Sequence, residues 1–199
     1  MQFETFIKSV PHISQAPLPG IDSQLKMSPP FRKELIAKQQ ELMEQSRRAG
    51  VMALFYPNTK GITHLVLILR KTYHGVHSAQ VGFPGGKLEP QDSSIEFAAL
   101  RETYEEVGVP MESVKVIKAL TEVYIPPSNF TVYPFIGMTD NTPVFTKQDE
   151  EVEAIIELEL QTLLHDANQT SQFVMTSLNK EVEVPAFLLN DHLVWGQRP

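Results

Sequence analysis

The stretch RETYEEVG, residues 101–108, places three glutamates within five positions beside a single arginine. In a helix, which turns by about 100° per residue, Glu102, Glu105 and Glu106 fall within an arc of roughly 100°. Two carboxylates about 4 Å apart repel each other by about 1 kcal/mol in water and by about 4 kcal/mol at an effective dielectric of 20. Either open solvent or a bound cation must offset this repulsion, and these residues alone leave both readings open.

Two local features count against an ordinary solvated face. Glu102 and Glu106 face each other with no lysine four residues away, and the glutamates lie near the C-terminal end of the helix, where its dipole disfavours negative charge. Arg101 is spaced to pair with Glu105 at i+4, which leaves the other two glutamates for a divalent cation. Mg²⁺ and Mn²⁺ both prefer carboxylate oxygens as ligands.

The helix that carries these glutamates is predicted to begin after Asp92 or Ser93, since both residue types cap free backbone N–H groups. Gly108 is predicted to end it. An apolar stripe lies nearly opposite the glutamates: Phe97, Leu100, Tyr104 and Val107. We expect that stripe to pack on a sheet, so the acidic face should point away from the main core.

The loop GFPGGKLEPQD, residues 82–92, directly precedes this helix. Gly85 and Gly86 permit close approach of the backbone, which is useful next to a phosphate or a metal. Lys87 can meet a phosphate as a point charge. The alternative is a tight turn between a strand and the helix, with Lys87 solvated.

The composition excludes several classes of function. The chain has 199 residues, enough for one domain with a hydrophobic core, and its 42% apolar and 21% charged residues are typical of globular proteins. The net charge of −7 argues against nucleic-acid binding through a broad basic surface. The absence of cysteine excludes disulfides and cysteine-based metal or thiol chemistry. No apolar run is long enough for a membrane span and the N-terminus does not resemble a secretory signal, so we expect a cytoplasmic protein without a membrane partner.

Predicted helices and strands interleave along the chain, which indicates a single mixed α/β domain. Helices are predicted at 3–9 and at 31–49, the second ending at Gly50, and a helical turn is predicted at 161–165. Strands are predicted at 51–56, 63–69, 81–83, 114–123, 130–138, 152–159, 172–176 and 182–188. We expect a helical extension, residues 1–48, to pack on a main domain formed by residues 49–199.

Read together, GKLEPQDSSIEFAALRETYEEVGV, residues 86–109, resembles the Nudix box of the Nudix hydrolases. The matching positions are Gly86, Arg101, Glu102, Glu105, Glu106, Gly108 and Val109. The first acid of the box appears as Asp92, separated from Arg101 by eight residues instead of seven, and Thr103 occupies the usual aliphatic place. The extra residue is usual in the coenzyme A pyrophosphatase branch of that family.

Sequence outside the box is also similar to this branch. HSAQVGFPGG (77–86) resembles an upstream element of the branch, in which Arg70 matches an arginine, whereas Gly75 stands in place of a second arginine and Ala79 in place of glycine. EVYIPPSNFTVYPFIG (122–137) and EEVEAIIELEL (150–160) extend the similarity over roughly residues 50 to 196. The resemblance implies a Nudix-type α/β/α sandwich with a mixed central sheet and the box as a loop and helix.

The resemblance further implies a metal-dependent pyrophosphohydrolase that cleaves a nucleoside diphosphate linked to another group. Glu102 and Glu106 would hold Mg²⁺ or Mn²⁺, and the ion would activate a water molecule. Glu105 would assist them, and Arg101 would hold Glu105 in place. Three glutamates are candidates for the general base: Glu105, Glu106 and Glu151. Glu151 lies in a later loop. The alternative is that it belongs to a solvated acidic turn and has no catalytic role.

A small nucleotide is the expected partner. If it is coenzyme A, the products are 3′,5′-adenosine bisphosphate and 4′-phosphopantetheine. The residues predicted to bind substrate are Arg70, Lys71, Lys87, Gly85 and Gly86. YIPPSNF (124–130) is expected to help line an apolar groove for the pantetheine arm. Tyr124 and Phe130 are equally suited to be residues of the hydrophobic core. His74 and His77 are interpreted as loop residues and not as metal ligands.

Two other functions stay open at the level of sequence. One is a Nudix hydrolase of ADP-ribose or another nucleoside diphosphate derivative, for which Gly75 leaves room. The other is a Nudix-fold binding protein without catalysis, against which the intact set of box carboxylates argues. The oligomeric state is open.

Overall fold

The chain folds around an eight-stranded sheet, in a computed structural model that describes residues 1–28, 33–34, 43–71, 80–175 and 181–195. The strands of this sheet are β1 (Arg47–Pro57), β2 (Thr63–Arg70), β3 (Val81–Gly82), β4 (Gly85–Lys87), β5 (Lys115–Ala119), β6 (Val123–Ile125), β7 (Phe130–Met138) and β8 (Val152–Glu159). Among the described residues, the α-helices with defined ends are α1 (Phe3–Gln15), α2 (Gly20–Leu25), α3 (Ile95–Val107) and α4 (Leu160–Leu164). A second, three-stranded sheet contains β9 (Gln169–Met175), β10 (Glu181–Leu189) and β11 (His192–Trp195). None of the described helices is long and apolar enough to cross a bilayer.

The large sheet is mixed, as predicted. Its main path is β3-β2-β1-β7-β5, and β4, β6 and β8 pair with β1, β7 and β2 respectively. Strands β1 and β7 are parallel, whereas β1 pairs antiparallel with both β2 and β4. The small sheet is antiparallel, in the order β11-β10-β9.

Two hydrophobic layers cover opposite faces of the large sheet, because side chains alternate between faces along each strand. One layer packs α3 on alternate residues of β1: Met52, Leu54 and Tyr56. The other packs α1 and the start of α4 on Leu65 and Leu67 of β2. Helices on both faces confirm the expected α/β/α sandwich.

Helix α1 is longer than predicted and is joined to the sheet at both ends. It runs to Gln15 through Pro11, although an internal proline removes one backbone hydrogen bond. At the C-terminal end of the helix, Lys118 Nζ donates to the carbonyl oxygens of Ile13 and Ser14, each at 3.0 Å, and also to that of Ala16. Helix α1 thus packs on the large sheet, and the division into an extension of residues 1–48 and a main domain stays a prediction.

The predicted end of a polar helix at Gly50 is wrong. Strand β1 already begins at Arg47, because residues 47–50 pair with β7, and Gly50 also pairs with Gly86 of β4. The greater part of that predicted helix lies outside the described residues. The predicted strand at 114–123 is also divided, since β5 ends at Ala119 and β6 starts at Val123.

Helix α3 ends as predicted but begins later. Gly108 adopts a φ of 77°, and its N–H bonds to the carbonyl oxygen of Tyr104. The N-cap is Ser94, whose Oγ accepts a 3.0 Å hydrogen bond from the backbone N–H of Phe97. Asp92 is not the cap, because its carboxylate binds Arg101.

The predicted buried stripe of α3 is largely wrong. Phe97 and Tyr104 are 36% and 52% exposed. The buried positions are Ala98, Ala99, Thr103, Glu106 and Val107. The helix lies so close to β1 that a Cβ on Gly50 would be 2.5 Å from the carbonyl oxygen of Ile95, so only small side chains fit beneath it.

Candidate active site

Strand β4 and helix α3 meet so closely that one glycine faces one glutamate. A Cβ on Gly86 would lie 2.3 Å from the carboxylate carbon of Glu102. Gly86 is held in place by pairing with Gly50 of β1, and α3 packs on the same strand. The missing side chain at position 86 therefore leaves the space that the Glu102 carboxylate occupies.

Replacing Gly86 with alanine should move the Glu102 carboxylate without unfolding the protein. The clash is with the end of a flexible side chain, which can rotate away at low cost. If Glu102 is a metal ligand, we expect affinity for Mn²⁺ to fall about 10- to 100-fold, a loss typical of misplaced ligands. Titration calorimetry with Mn²⁺ checks this result, and circular dichroism checks the fold. Unchanged Mn²⁺ affinity would contradict it.

Glu106 is a buried carboxylate with an arginine and a backbone N–H beside it. Glu106 is only 1% exposed, which corrects the expectation that the whole acidic face of the helix points away from the core. The N–H of Gly85 donates to Oε2 at 2.8 Å, and Arg70 Nη1 lies 2.9 Å from Oε1. Arg70 Nη2 also donates to the Gly85 carbonyl oxygen at 2.6 Å, which fixes the guanidinium between strand and helix.

Burial raises the pKa of Glu106 to about 7. The positive charge of Arg70 and the hydrogen bond from Gly85 act in the opposite direction, and the negative charges of Glu102 and Glu151 raise the pKa further. The pKa of Glu102 is also raised, mainly by burial, and the neighbouring Arg101 partly offsets this. The two carboxylates that face β4 therefore hold protons more tightly than ordinary glutamates.

The raised pKa of Glu106 should appear in the pH dependence of stability. The protonated carboxyl contributes stability that is complete below its unfolded pKa of 4.5 and is lost as the pH rises through about 7. Without divalent cations, the free energy of unfolding of the wild type should therefore fall, relative to that of Glu106→Gln, as the pH rises from about 5 to about 8. Urea unfolding in EDTA measures both curves, and parallel curves would contradict the expectation.

Arg101 connects three carboxylates at the start and along the length of α3. It binds Asp92 through two bonds, Nε to Oδ1 at 2.8 Å and Nη2 to Oδ2 at 3.0 Å, and these hold the pKa of Asp92 below its usual range. Its Nη1 lies 2.8 Å from Glu105 Oε2 and 3.2 Å from Glu102 Oε1. The predicted i+4 pair with Glu105 is confirmed. The sequence did not predict that Asp92 anchors Arg101. The only signal was that Asp92 occupies the position of the first acid in the box.

The loop that contains Glu151 is attached to the C-terminal end of α3. The N–H groups of Thr146 and Gln148 donate to the carbonyl oxygens of Val107 and Glu106, at 3.0 and 3.2 Å. Gln148 Oε1 in turn accepts from the N–H of Glu151 at 3.2 Å. The negative charge of Glu151 is a minor cause of the raised pKa of both Glu102 and Glu106, and the bonds of its loop to α3 place this predicted residue on the same side of the helix end.

Beside the carboxylates lies a cleft of about 380 Å³ on the face of the sheet opposite α3. It is lined by Ala49, Val51, Arg70, Gln80, Val81, Gly82, Phe83, Gly85, Gly86, Lys87, Ile125, Phe130 and Val132. The lining is largely apolar, with Arg70 and Lys87 next to the paired glycines. Of the segment 124–130, Ile125 and Phe130 reach this cleft, whereas Tyr124 is buried and donates from its hydroxyl to Asn129 Oδ1 at 3.0 Å.

The predicted substrate-binding residues divide into two groups. Gly85, Gly86, Lys87 and Arg70 line the cleft, although Arg70 also pairs with Glu106. Lys71 does not line it; its N–H donates to the carbonyl oxygen of Glu151 at 2.9 Å. The predictions made for His74, Gly75, His77 and Ala79 lie outside the described residues.

The acidic cluster fits a hard divalent cation in the chemistry of its donors. Glu106 Oε1 is buried without a hydrogen-bond partner in the described part of the chain, since Arg70 approaches it at ion-pair distance but not in hydrogen-bond geometry. Carboxylate oxygens are the donors that Mg²⁺ and Mn²⁺ prefer. Within the described ranges, however, no three acidic or histidine side chains already surround one point, because Glu102 and Glu105 turn toward Arg101. The metal ligands stay a prediction.

Residues 46–177 match the NUDIX domain, and the chain belongs to this family. Among curated relatives, an uncharacterized Nudix hydrolase NudL of Yersinia enterocolitica is 40% identical over 96 residues, which cover 48% of this chain and 49% of the relative. The mitochondrial coenzyme A diphosphatase NUDT8 of Homo sapiens is 33% identical over 141 residues, 70% of this chain and 60% of that protein. The chain thus spans about half to three fifths of the length of these two relatives.

Solved structures show the same fold at low sequence identity. A Nudix hydrolase from M. Smegmatis, RenU, superposes with a TM-score of 0.50 at 19% identity, covering 60% of this chain and 74% of the other. A MutT/nudix family protein from Enterococcus faecalis gives a TM-score of 0.50 at 16% identity, over 84% of this chain and 65% of the other. These likenesses support the fold assignment alone.

Proposed function

We propose that this protein hydrolyses the diphosphate bond of coenzyme A or its derivatives, with Mg²⁺ or Mn²⁺, to 3′,5′-adenosine bisphosphate and 4′-phosphopantetheine. The observation that carries the proposal is the meeting of the α3 carboxylates with Gly85 and Gly86 at the edge of an apolar cleft. An acidic cation site beside a cleft with apolar walls and basic residues suits a diphosphate that carries a group able to pack on those walls. The cytoplasmic location stays a prediction.

Glu102 and Glu106 are the residues that would hold the cation, with Glu105 assisting. A bound divalent ion supplies charge neutralisation at the diphosphate and acidifies a water molecule. Arg101 keeps Glu105 on the helix surface through the 2.8 Å contact with Nη1. Arg70 keeps Glu106 beside β4, so we assign Arg70 to positioning this carboxylate as well as to the predicted contact with substrate.

The general base is proposed among Glu105, Glu106 and Glu151. Glu151 gains support from its position, since it is exposed and close enough to raise the pKa of the two inner carboxylates. Glu105 is held by Arg101, and Glu106 is buried, which makes both less free to exchange a proton with solvent water. Glu151 is therefore the base that we favour.

The choice of substrate rests on two supports. The relative NUDT8 is named a coenzyme A diphosphatase, and the sequence element that ends in FPGG runs directly into β4 beside the cleft. Gly75, where an arginine of that element is expected, leaves ADP-ribose as the alternative substrate within the same chemistry. Both substrates would present their diphosphate to the same acidic cluster.

Product identification by mass spectrometry tests the proposal. The protein is incubated with Mg²⁺ or Mn²⁺ and, in parallel, with coenzyme A, ADP-ribose or a diadenosine polyphosphate, with Glu106→Gln as the matched inactive control. Release of 4′-phosphopantetheine, faster than turnover of the other compounds, is the expected result. Turnover of ADP-ribose alone would keep the chemistry and replace the substrate, and no turnover with either metal would favour a binding protein.

A further inference from the structure

An arginine outside the lining of the cleft packs on one of its wall residues, Phe130. Along β1, alternate residues point to one face, and Ala49 and Val51 of that set line the cleft. Arg47 is the next residue of the set, and its guanidinium carbon lies 4.2 Å from the ring centre of Phe130, which also lines the cleft. Arg70 bonds to Gly85, which pairs with Val51, and Lys87 pairs with Ala49. The basic residues therefore follow β1 in the order Arg70, Lys87 and Arg47.

Three consecutive residues before and in β7 hold Arg47 in position. Its backbone N–H donates to the carbonyl oxygen of Asn129 at 3.0 Å, its Nη2 donates to that of Ser128 at 2.8 Å, and its guanidinium covers the Phe130 ring. The side chain is nevertheless exposed, and no carboxylate of the described residues lies within ion-pair distance of it. A fixed guanidinium with unused donors and no acidic partner is suited to a phosphate.

The spacing suits a ribose that carries two phosphates. Gly86 pairs with Gly50, and Arg47 lies three positions before Gly50, which is about 10 Å along a strand. A ribose whose diphosphate lies at Gly86 can direct a 3′-phosphate toward Arg47, while its purine stacks on Phe83. The pantetheine arm has no negative group that would use this arginine.

We infer that Arg47 binds the 3′-phosphate of a coenzyme A-type substrate and so selects it over nucleotides that lack this group, an inference that rests on the proposed function. The adenosine half then occupies the apolar cleft, in place of the pantetheine arm for which the sequence predicted this groove, and the pantetheine arm leaves on the other side of the diphosphate. Arg47 acts as a specificity residue, since it touches a part of the substrate that does not react.

The test compares coenzyme A with 3′-dephospho-coenzyme A, which lacks only that phosphate, in the wild type, Arg47→Gln and Arg48→Gln. Arg48 is the matched control, because it is adjacent and exposed but points to the opposite face of β1, toward Thr131 and Tyr133. Arg47→Gln should lower the ratio of kcat/KM for the two substrates about 10-fold or more, the loss expected for one charge-assisted hydrogen bond. Arg48→Gln should leave the ratio unchanged.

Each outcome decides between the alternatives. If Arg47→Gln lowers kcat/KM equally for both substrates, Arg47 only supports the turn at Ser128, and the inference is overturned while the proposed function stands. A wild type that turns over both substrates equally well has the same consequence. Without coenzyme A turnover, the proposed function fails and the inference fails with it.

Calorimetric binding of 3′,5′-adenosine bisphosphate and of 5′-AMP gives a second readout, in which only the bisphosphate should bind more weakly to Arg47→Gln than to the wild type.

Discussion

Replacing Glu106 with glutamine should lower kcat about 10²- to 10³-fold if Glu106 holds the cation as proposed, because such an ion supplies several kcal/mol of charge stabilisation in the transition state. The fold should persist, since the amide oxygen of glutamine still accepts from the Gly85 N–H that now binds Oε2 at 2.8 Å. Arg70 would lose its ion-pair partner but has a side chain that is 22% exposed and can be solvated. Steady-state kinetics with saturating Mg²⁺ or Mn²⁺ measures the change.

Glu96→Gln is the matched control for this prediction. It removes the same charge from the same helix, at an exposed position in the first turn and away from β4. We expect its kcat to stay within about twofold of the wild type, because exposed single charges have small effects. Binding of the substrate to Glu106→Gln should survive, and equal activity of Glu106→Gln and Glu96→Gln would remove Glu106 from the catalytic site.

Replacing Phe6 with alanine should reduce the free energy of unfolding by about 3–5 kcal/mol, the cost of emptying a buried aromatic site. Phe6 is 4% exposed, and its ring stacks on Phe55 of β1 at 5.0 Å between centroids and on Phe3 at 5.8 Å. The N-terminal helix therefore belongs to one of the two hydrophobic layers of the sheet. Urea unfolding followed by tryptophan fluorescence or circular dichroism measures the loss.

Ile7→Ala is the control on the neighbouring position of α1. Ile7 is 41% exposed, so its truncation should cost no more than about 0.5 kcal/mol, as for other surface substitutions. If Phe6→Ala costs as little as Ile7→Ala, α1 is a peripheral attachment that can detach without affecting the main domain. A large difference between the two variants shows that residues 1–15 are part of the cooperative fold.

Local patterns predicted the elements of the sheet well. Strands at 63–69, 130–138 and 152–159 agree with the structure to within one residue, because long runs of β-branched and apolar residues are bounded by turn formers. The helix of the acidic stretch was predicted for a similar reason, since Gly108 provides the left-handed residue that ends it. Pairing partners were not predictable in this way, and β1 therefore extends into a segment whose local pattern favoured a helix.

By itself, the sequence determined the mixed α/β class, the family resemblance, the i+4 pair of Arg101 with Glu105 and the set of carboxylates on one helix. These depend on spacing within a few residues, which local geometry controls. Only the tertiary structure decided that Glu106 is buried against Arg70, that Phe97 and Tyr104 are exposed, and that Arg47 packs on Phe130. Each of these depends on how closely α3 and β7 approach β1, and that distance is set by contacts between residues far apart in the chain.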